Sequence, residues 1–208
     1  MTEKSETGLL ERFSRAADAD TNATLERGIA ESLAWLDDRL APERLKKLGA
    51  RTIGRLAWQL RSPGETAEST KTRAVLRARA VAGLERALRE ELSTLVRADA
   101  VNALVKLQRE EAADILVEVL GTQPPLPVRR AILAHLVGFG DERALEPLVG
   151  LTRWDTATTR RWAVRRLGEL GDPRGRAAVL EAKSRDAVWR RPVYWRASWR
   201  TRQRSRGR

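Results

Sequence analysis

The sequence lacks cysteine entirely and has one histidine, His135, among 208 residues. Because there is no cysteine, disulfides, cysteine-ligated zinc and thiol chemistry are all excluded. A transition-metal site would have to consist of carboxylates, which are not the preferred ligands of such metals. We therefore expect neither a metal nor any other cofactor.

Long hydrophobic runs are also missing. No apolar stretch approaches the roughly 20 residues that a membrane-spanning helix needs. The first residues are polar, unlike the apolar core of a secretory signal. The sequence therefore predicts a cytoplasmic protein without a transmembrane segment.

Recognisable catalytic motifs are absent as well. The sequence has no glycine-rich phosphate loop, serine-centred elbow or metal-ligand spacing. Its paired carboxylates, Glu90 with Glu91 and Glu110 with Glu111, are adjacent, and adjacent helix residues do not face each other. They are predicted to be surface charges, so an enzyme is the less favoured interpretation.

One pattern, by contrast, occurs three times. The copies begin at Val96, Val128 and Thr159, so they are separated by 32 and 31 residues. A period of this size is typical of a stack of helical hairpins, in which each unit is one helix–turn–helix.

The second copy shows the physical basis of the pattern. Val128, Ile132 and Leu136 are four residues apart and therefore lie on one face of a helix. Gly140 favours a left-handed stop after that helix, and Asp141 is suited to cap the next one. The third copy ends in the same way, with Gly-Asp-Pro-Arg.

A V-R-x-x-A-x-x-x-L helix, then Gly-Asp-Pro-Arg and a leucine-rich helix, resembles the HEAT-like repeat of the short variety also found in phycobilin lyases. The resemblance covers roughly residues 76–200. It implies an all-α fold, a right-handed α-solenoid of stacked antiparallel hairpins. Such proteins are mostly scaffolds and adaptors, with a few lyases and DNA-repair glycosylases among them. The first copy departs from the pattern, because Gln108-Arg109-Glu110 replaces Gly-Asp.

The periodicity divides the chain into four segments. Residues 1–20 are predicted to be a disordered N-terminus, 21–62 an N-terminal helical hairpin, 71–186 the repeat array, and 187–208 a Trp/Arg-rich C-terminal segment with a basic tail. Apolar residues at helical spacing place Leu40, Leu92 and Leu180 on the buried faces of their helices.

Positive charge is concentrated at the C-terminal end. The chain has a net charge of +12, and residues 183–208 contain ten basic residues against one acidic residue, Asp186. Such an asymmetry indicates an anionic partner rather than a property of the fold.

Arginine and tryptophan occur together from the third copy onward, a combination that suits phosphate contact and aromatic stacking. The candidate binding residues are Arg129, Arg130, Arg153, Trp154, Arg160, Arg161, Trp162, Arg165, Arg166, Trp189, Arg190, Arg191, Trp195, Arg196, Trp199 and Arg200. A second patch at helical spacing comprises Lys47, Arg51, Arg55 and Trp58. The alternative is that these arginines are solvated or link neighbouring repeats, and that the tryptophans pack on adjacent helices.

These observations favour a non-enzymatic interaction module. We expect it to bind a macromolecular partner through its concave face, which second helices line in such solenoids, and through its basic C-terminal end. A protein is the first hypothesis for the partner and nucleic acid the second. An anionic membrane surface is less favoured, and DNA glycosylase or bilin lyase activity is the least favoured interpretation.

Deleting residues 201–208 removes Arg202, Arg204, Arg206 and Arg208 but no hydrophobic residue, so the fold should survive. If the tail contacts nucleic acid, binding should weaken, and its salt dependence should become shallower by up to about four phosphate contacts. Fluorescence anisotropy with single- and double-stranded oligonucleotides across a salt series measures both effects. An intact protein that binds neither oligonucleotide at low salt would contradict the nucleic-acid hypothesis.

Overall fold

A computed structural model describes residues 21–64, 67–153, 156–185 and Ala197. These residues form helices without any strand, which confirms the all-α prediction. The α-helices are α1 Thr21–Asp37, α2 Glu43–Arg61, α3 Ala67–Glu90, α4 Thr94–Gln108, α5 Ala113–Gly121, α6 Leu126–Phe139, α7 Leu145–Leu151, α8 Ala157–Leu170 and α9 Arg176–Arg185. The chain divides into two compact units, residues 1–128 and 129–208.

The three sequence copies have the same local structure. In each copy a long first helix is followed by a short 3₁₀ turn and a second helix, giving the pairs α4–α5, α6–α7 and α8–α9. The first helices bury the same stripe of three positions: Val96, Ala100 and Leu104 in α4, Val128, Ile132 and Leu136 in α6, and Thr159, Ala163 and Leu167 in α8. The structure therefore confirms the predicted register of the repeat.

The turn after the first helix depends on glycine and aspartate in the second and third copies. Gly140 and Gly171 have φ angles of +73° and +71°, in the left-handed region that glycine enters without a steric penalty. Asp141 and Asp172 then accept hydrogen bonds from backbone N–H groups two residues later, at 2.9 Å and 2.8 Å. Each aspartate thus caps the 3₁₀ turn that leads into the second helix.

The first copy makes this turn without either residue. Its α4 helix ends at Gln108, and the next residue, Arg109, has φ +53° and ψ −128°. A non-glycine side chain in that region is strained, because its Cβ approaches the backbone too closely. The departure seen in the sequence therefore appears in the structure as backbone strain.

Helices α2 and α4 of the first unit run side by side in the same direction. Arg51 on α2 pairs with Asp99 on α4 at 3.0 Å, and Arg61 donates to the Lys106 carbonyl at 3.2 Å. Between these contacts, a Cβ added to Gly54 would lie 3.3 Å from Ala103. The two helices therefore approach closely where α2 has no side chain.

Three leucines that the sequence placed on buried faces are exposed. Helix α1 ends at Asp37, so Leu40 lies in the following turn and is 93% exposed. Leu92 follows the end of α3 and is 96% exposed. Leu180 is 46% exposed, because Val179 occupies the buried face of α9 instead. The apolar spacing was correct for the helix interiors but did not locate the helix ends.

Replacing Leu136 by alanine should lower the free energy of unfolding by about 2–5 kcal/mol, because the fully buried side chain would leave a cavity. Leu180→Ala is the matched control, since the same atoms are removed from a position that is 46% exposed. Chemical denaturation of both variants measures the difference. A Leu136→Ala loss below about 0.5 kcal/mol would contradict the assigned register.

Arg109→Gly should stabilise the protein by about 1 kcal/mol. Removing the strain of a positive φ angle should raise the free energy of unfolding by about 1–3 kcal/mol. The greater conformational freedom of glycine in the unfolded chain offsets about 0.5–1 kcal/mol of that increase. The control Glu110→Gly, at a residue without positive φ, should destabilise instead. Thermal unfolding of the two variants separates the effects, and equal shifts for both would refute the assigned strain.

Candidate functional site

Three of the predicted binding residues in the second unit form one cluster. The guanidinium of Arg130, on α6, lies over the Trp162 ring on α8, at 4.8 Å from its centroid. The guanidinium of Arg166 lies over the same ring at 5.6 Å. We call Arg130, Trp162 and Arg166 the Trp162 cluster. Both distances are within the range of favourable cation–π contact.

The local sequence explains how α8 presents this cluster. Thr159 and Ala163 face the core, so Trp162 is left half-buried at the edge of the buried stripe. Arg166 follows Trp162 by one helical turn and therefore lies beside it. Its guanidinium also pairs with Glu169 at 2.6 Å, which further fixes its position.

The cluster presents guanidinium groups that are already held in place. A guanidinium lying on an aromatic ring keeps its N–H donors at the edge of its plane available for carboxylate or phosphate oxygens. Arg165, one residue before Arg166, is exposed, whereas Arg129, Arg160 and Arg161 are half-buried. The arrangement is suited to an anionic partner.

Another predicted site residue, Arg153, is engaged in an ion pair. Arg153 follows the end of α7 and pairs with Glu181 on α9 at 3.4 Å. Trp154, Trp189, Arg190, Arg191, Trp195, Arg196, Trp199 and Arg200 lie outside the described residues.

The cluster belongs to the first helices of the hairpins. Arg130 is on α6, and Trp162 and Arg166 are on α8, whereas the second helices are α7 and α9. The expected concave binding face is lined by second helices, whereas these residues lie on first helices, which precede the turn in each copy.

The second patch lies on the exposed side of α2. Arg55 and Trp58 are exposed, Lys47 is half-buried, and Arg51 is held by its ion pair with Asp99. The structure adds Lys106 of α4 to this patch. The Lys106 side chain lies 3.5 Å from the position that a Cβ atom at Gly54 would occupy. Sequence reasoning missed Lys106 because only the packing of α4 against α2 brings it there.

Two segments of the chain, residues 96–122 and 159–185, match the family model of the PBS lyase HEAT-like repeat. The chain contains HEAT-like repeats. No curated protein matches the sequence. The middle hairpin, α6–α7, lies outside the matched segments but has the same helix, 3₁₀ turn and helix as the other two. HEAT-like repeats are generally protein-interaction modules.

Acidic side chains in the turns of the HEAT-like repeats form ion pairs with arginines of the same turn or of the next one. Arg174 pairs with Asp172 of its own turn at 2.6 Å and with Glu142 of the preceding turn at 2.7 Å. Arg143 pairs with Asp141 in the same way at 2.6 Å, and this hydrogen bond holds the pKa of the Asp141 carboxyl below its usual value, although partial burial opposes the shift. The sequence analysis missed these pairs because it considered the aspartates only as backbone caps.

Two further side chains make structural contacts. The Arg97 side chain donates to the Leu88 carbonyl at 2.9 Å, so it links a HEAT-like repeat to the helix before it. His135 is half-buried, and its ring stacks on that of Phe139 with 6.4 Å between centroids. The described residues contain neither a group of potential metal ligands nor a helix long and apolar enough to cross a membrane.

Proposed function

We propose that the protein is a non-enzymatic helical-repeat interaction module that binds an acidic protein partner through its second unit. The contact of two guanidinium groups with the Trp162 ring carries this proposal. A pre-positioned guanidinium loses less conformational freedom on binding than a solvated one. More of the free energy of each hydrogen bond therefore contributes to affinity. The sequence after the repeats is also rich in basic residues.

A protein partner is favoured over nucleic acid because the Trp162 ring is already in contact with arginine side chains. The ring is half-buried and already contacts Arg130 and Arg166, so less of its face is open to a base. Its contribution to binding is then to position the arginines rather than to stack. Aspartate and glutamate carboxylates accept two parallel N–H bonds from such a guanidinium. The general use of HEAT-like repeats in protein interaction points the same way.

A non-enzymatic role is supported by how the carboxylates of the second unit are used. Asp141 and Asp172 cap turns and pair with Arg143 and Arg174, and Glu142 receives a second bond from Arg174. The hydrogen bond from Arg143 lowers the pKa of the Asp141 carboxyl, whereas a general acid or base needs a pKa near the working pH.

Nucleic acid is the second candidate, and the charge distribution favours it. Residues 183–208 have a net charge of +9, a concentration that suits contacts with a phosphate backbone. On this alternative the arginines would bind phosphates without reading sequence. Both candidate partners would bind the same guanidinium groups. Binding must therefore be compared between an acidic peptide and oligonucleotides.

Substituting Arg130 and Arg166 by glutamine should weaken binding of a fluorescein-labelled peptide made of twelve glutamates. Each lost charge-assisted hydrogen bond costs about 1.5 kcal/mol or more, so the dissociation constant should rise on the order of tenfold or more. Anisotropy titrations with the peptide, with a single-stranded oligothymidylate of twelve nucleotides and with a duplex of twelve base pairs compare the partner classes.

The charge-matched control is Arg27→Gln with Arg79→Gln, which removes two exposed arginines from the first unit. It should leave peptide binding nearly unchanged. Equal losses in both double variants would mean that net charge alone drives binding and would refute the cluster as a site. Binding of either oligonucleotide at far lower concentration than the peptide, with loss confined to the cluster variant, would favour nucleic acid instead.

A further inference from the structure

The most exposed large aromatic side chain among the described residues of the first unit is Trp58, on α2. Trp58 is 74% exposed, whereas its neighbours Ala57 and Leu60 are buried. Trp58 has neither a cation–π contact nor a side-chain hydrogen bond in the described part of the chain. The indole therefore presents an open face to solvent, unlike the ring of Trp162.

Helical spacing places basic groups from two helices near this indole. Gly54, Trp58 and Arg61 are spaced by four and three residues, so they lie on one stripe of α2. Lys106 of α4 runs along the same stripe, because its side chain approaches Gly54 and its carbonyl accepts from Arg61. Arg55 is exposed one turn before Trp58.

Within α2 and α4 this face carries positive charge. Helix α2 contains no acidic residue after Glu43, and Glu43 itself accepts a hydrogen bond from Ser93 at 2.8 Å. Asp99 is the acidic residue of α4, and it is paired with Arg51. The charges of Arg55 and Lys106 are therefore not compensated within α2 and α4.

We propose that this face binds single-stranded nucleic acid, with a base stacked on Trp58 and the neighbouring phosphates held by Arg55 and Lys106. An open aromatic face beside cations on adjacent helices is the combination that unpaired nucleotides require. A duplex keeps its base faces stacked internally, so it would leave the indole unused. An acidic peptide would need only the cations. The single strand is the partner that uses both features of the face.

The site is independent of the function proposed for the second unit. It consists of residues of the first unit only. It depends on the exposed ring of Trp58, whereas the Trp162 cluster depends on guanidinium groups held against a ring. Its binding is expected to be insensitive to sequence, because every base has a face that can stack.

The test is anisotropy titration of the full-length protein with a fluorescein-labelled oligothymidylate of eight nucleotides, at several salt concentrations. Trp58→Ala should raise the dissociation constant about 5- to 150-fold, the loss expected for one stacked base. Trp58→Phe retains an aromatic face and should recover most of that loss. Arg55→Gln and Lys106→Gln should each reduce the salt slope by about 0.7.

Arg79→Gln is the charge-matched control, an exposed arginine on α3 outside this face, and it should leave the salt slope unchanged. Circular dichroism should show that all variants remain folded, as expected for substitutions at exposed side chains. Unaltered oligothymidylate affinity in Trp58→Ala would overturn the proposal. So would a peptide of eight glutamates, or a duplex of eight base pairs, that loses affinity in Trp58→Ala as strongly as the oligothymidylate does. Loss of peptide binding in the variant with Arg130 and Arg166 replaced by glutamine leaves this result untouched, so the two proposals fail separately.

Discussion

Burial of one apolar stripe on each first helix is the interaction on which the repeats depend. Val96, Val128 and Thr159 open the stripe at equivalent positions and are all buried. A short hairpin cannot bury both of its faces alone, so its stability comes from packing against other helices. The stripe occupies one side of each helix and leaves the opposite side free to vary. Binding residues can therefore change from copy to copy without loss of the fold.

The turns stabilise these hairpins through polar interactions. In the second and third copies a left-handed glycine ends the first helix and an aspartate caps the 3₁₀ turn after it. The bond from Arg174 to Glu142 then joins one turn to the preceding one. These exposed pairs are individually weak, but the aspartates supply partners for backbone donors that would otherwise lack them. The first copy lacks both residues and has a strained Arg109 instead.

Two tryptophans on different helices illustrate how packing sets the chemistry of a surface residue. Trp162 contacts two guanidinium groups, so it acts as a support for charge. Trp58 is open to solvent beside Lys106 and Arg55, so its face remains available for stacking. Both residues appear in the sequence as tryptophan near arginine. Only the positions of the neighbouring helices distinguish a covered ring from an open one.

The sequence by itself determined the helices, the repeat register and the turn residues, because all three depend on contacts between residues close together in the chain. The spacing of Val128, Ile132 and Leu136 and the Gly140 stop are examples of such local signals. Only the tertiary structure decided which side chains meet across helices: Arg130 with Trp162, and Lys106 with the stripe of α2 at Gly54. Those residues lie 32 and 52 positions apart. Their contacts depend on helix packing, which local periodicity does not encode.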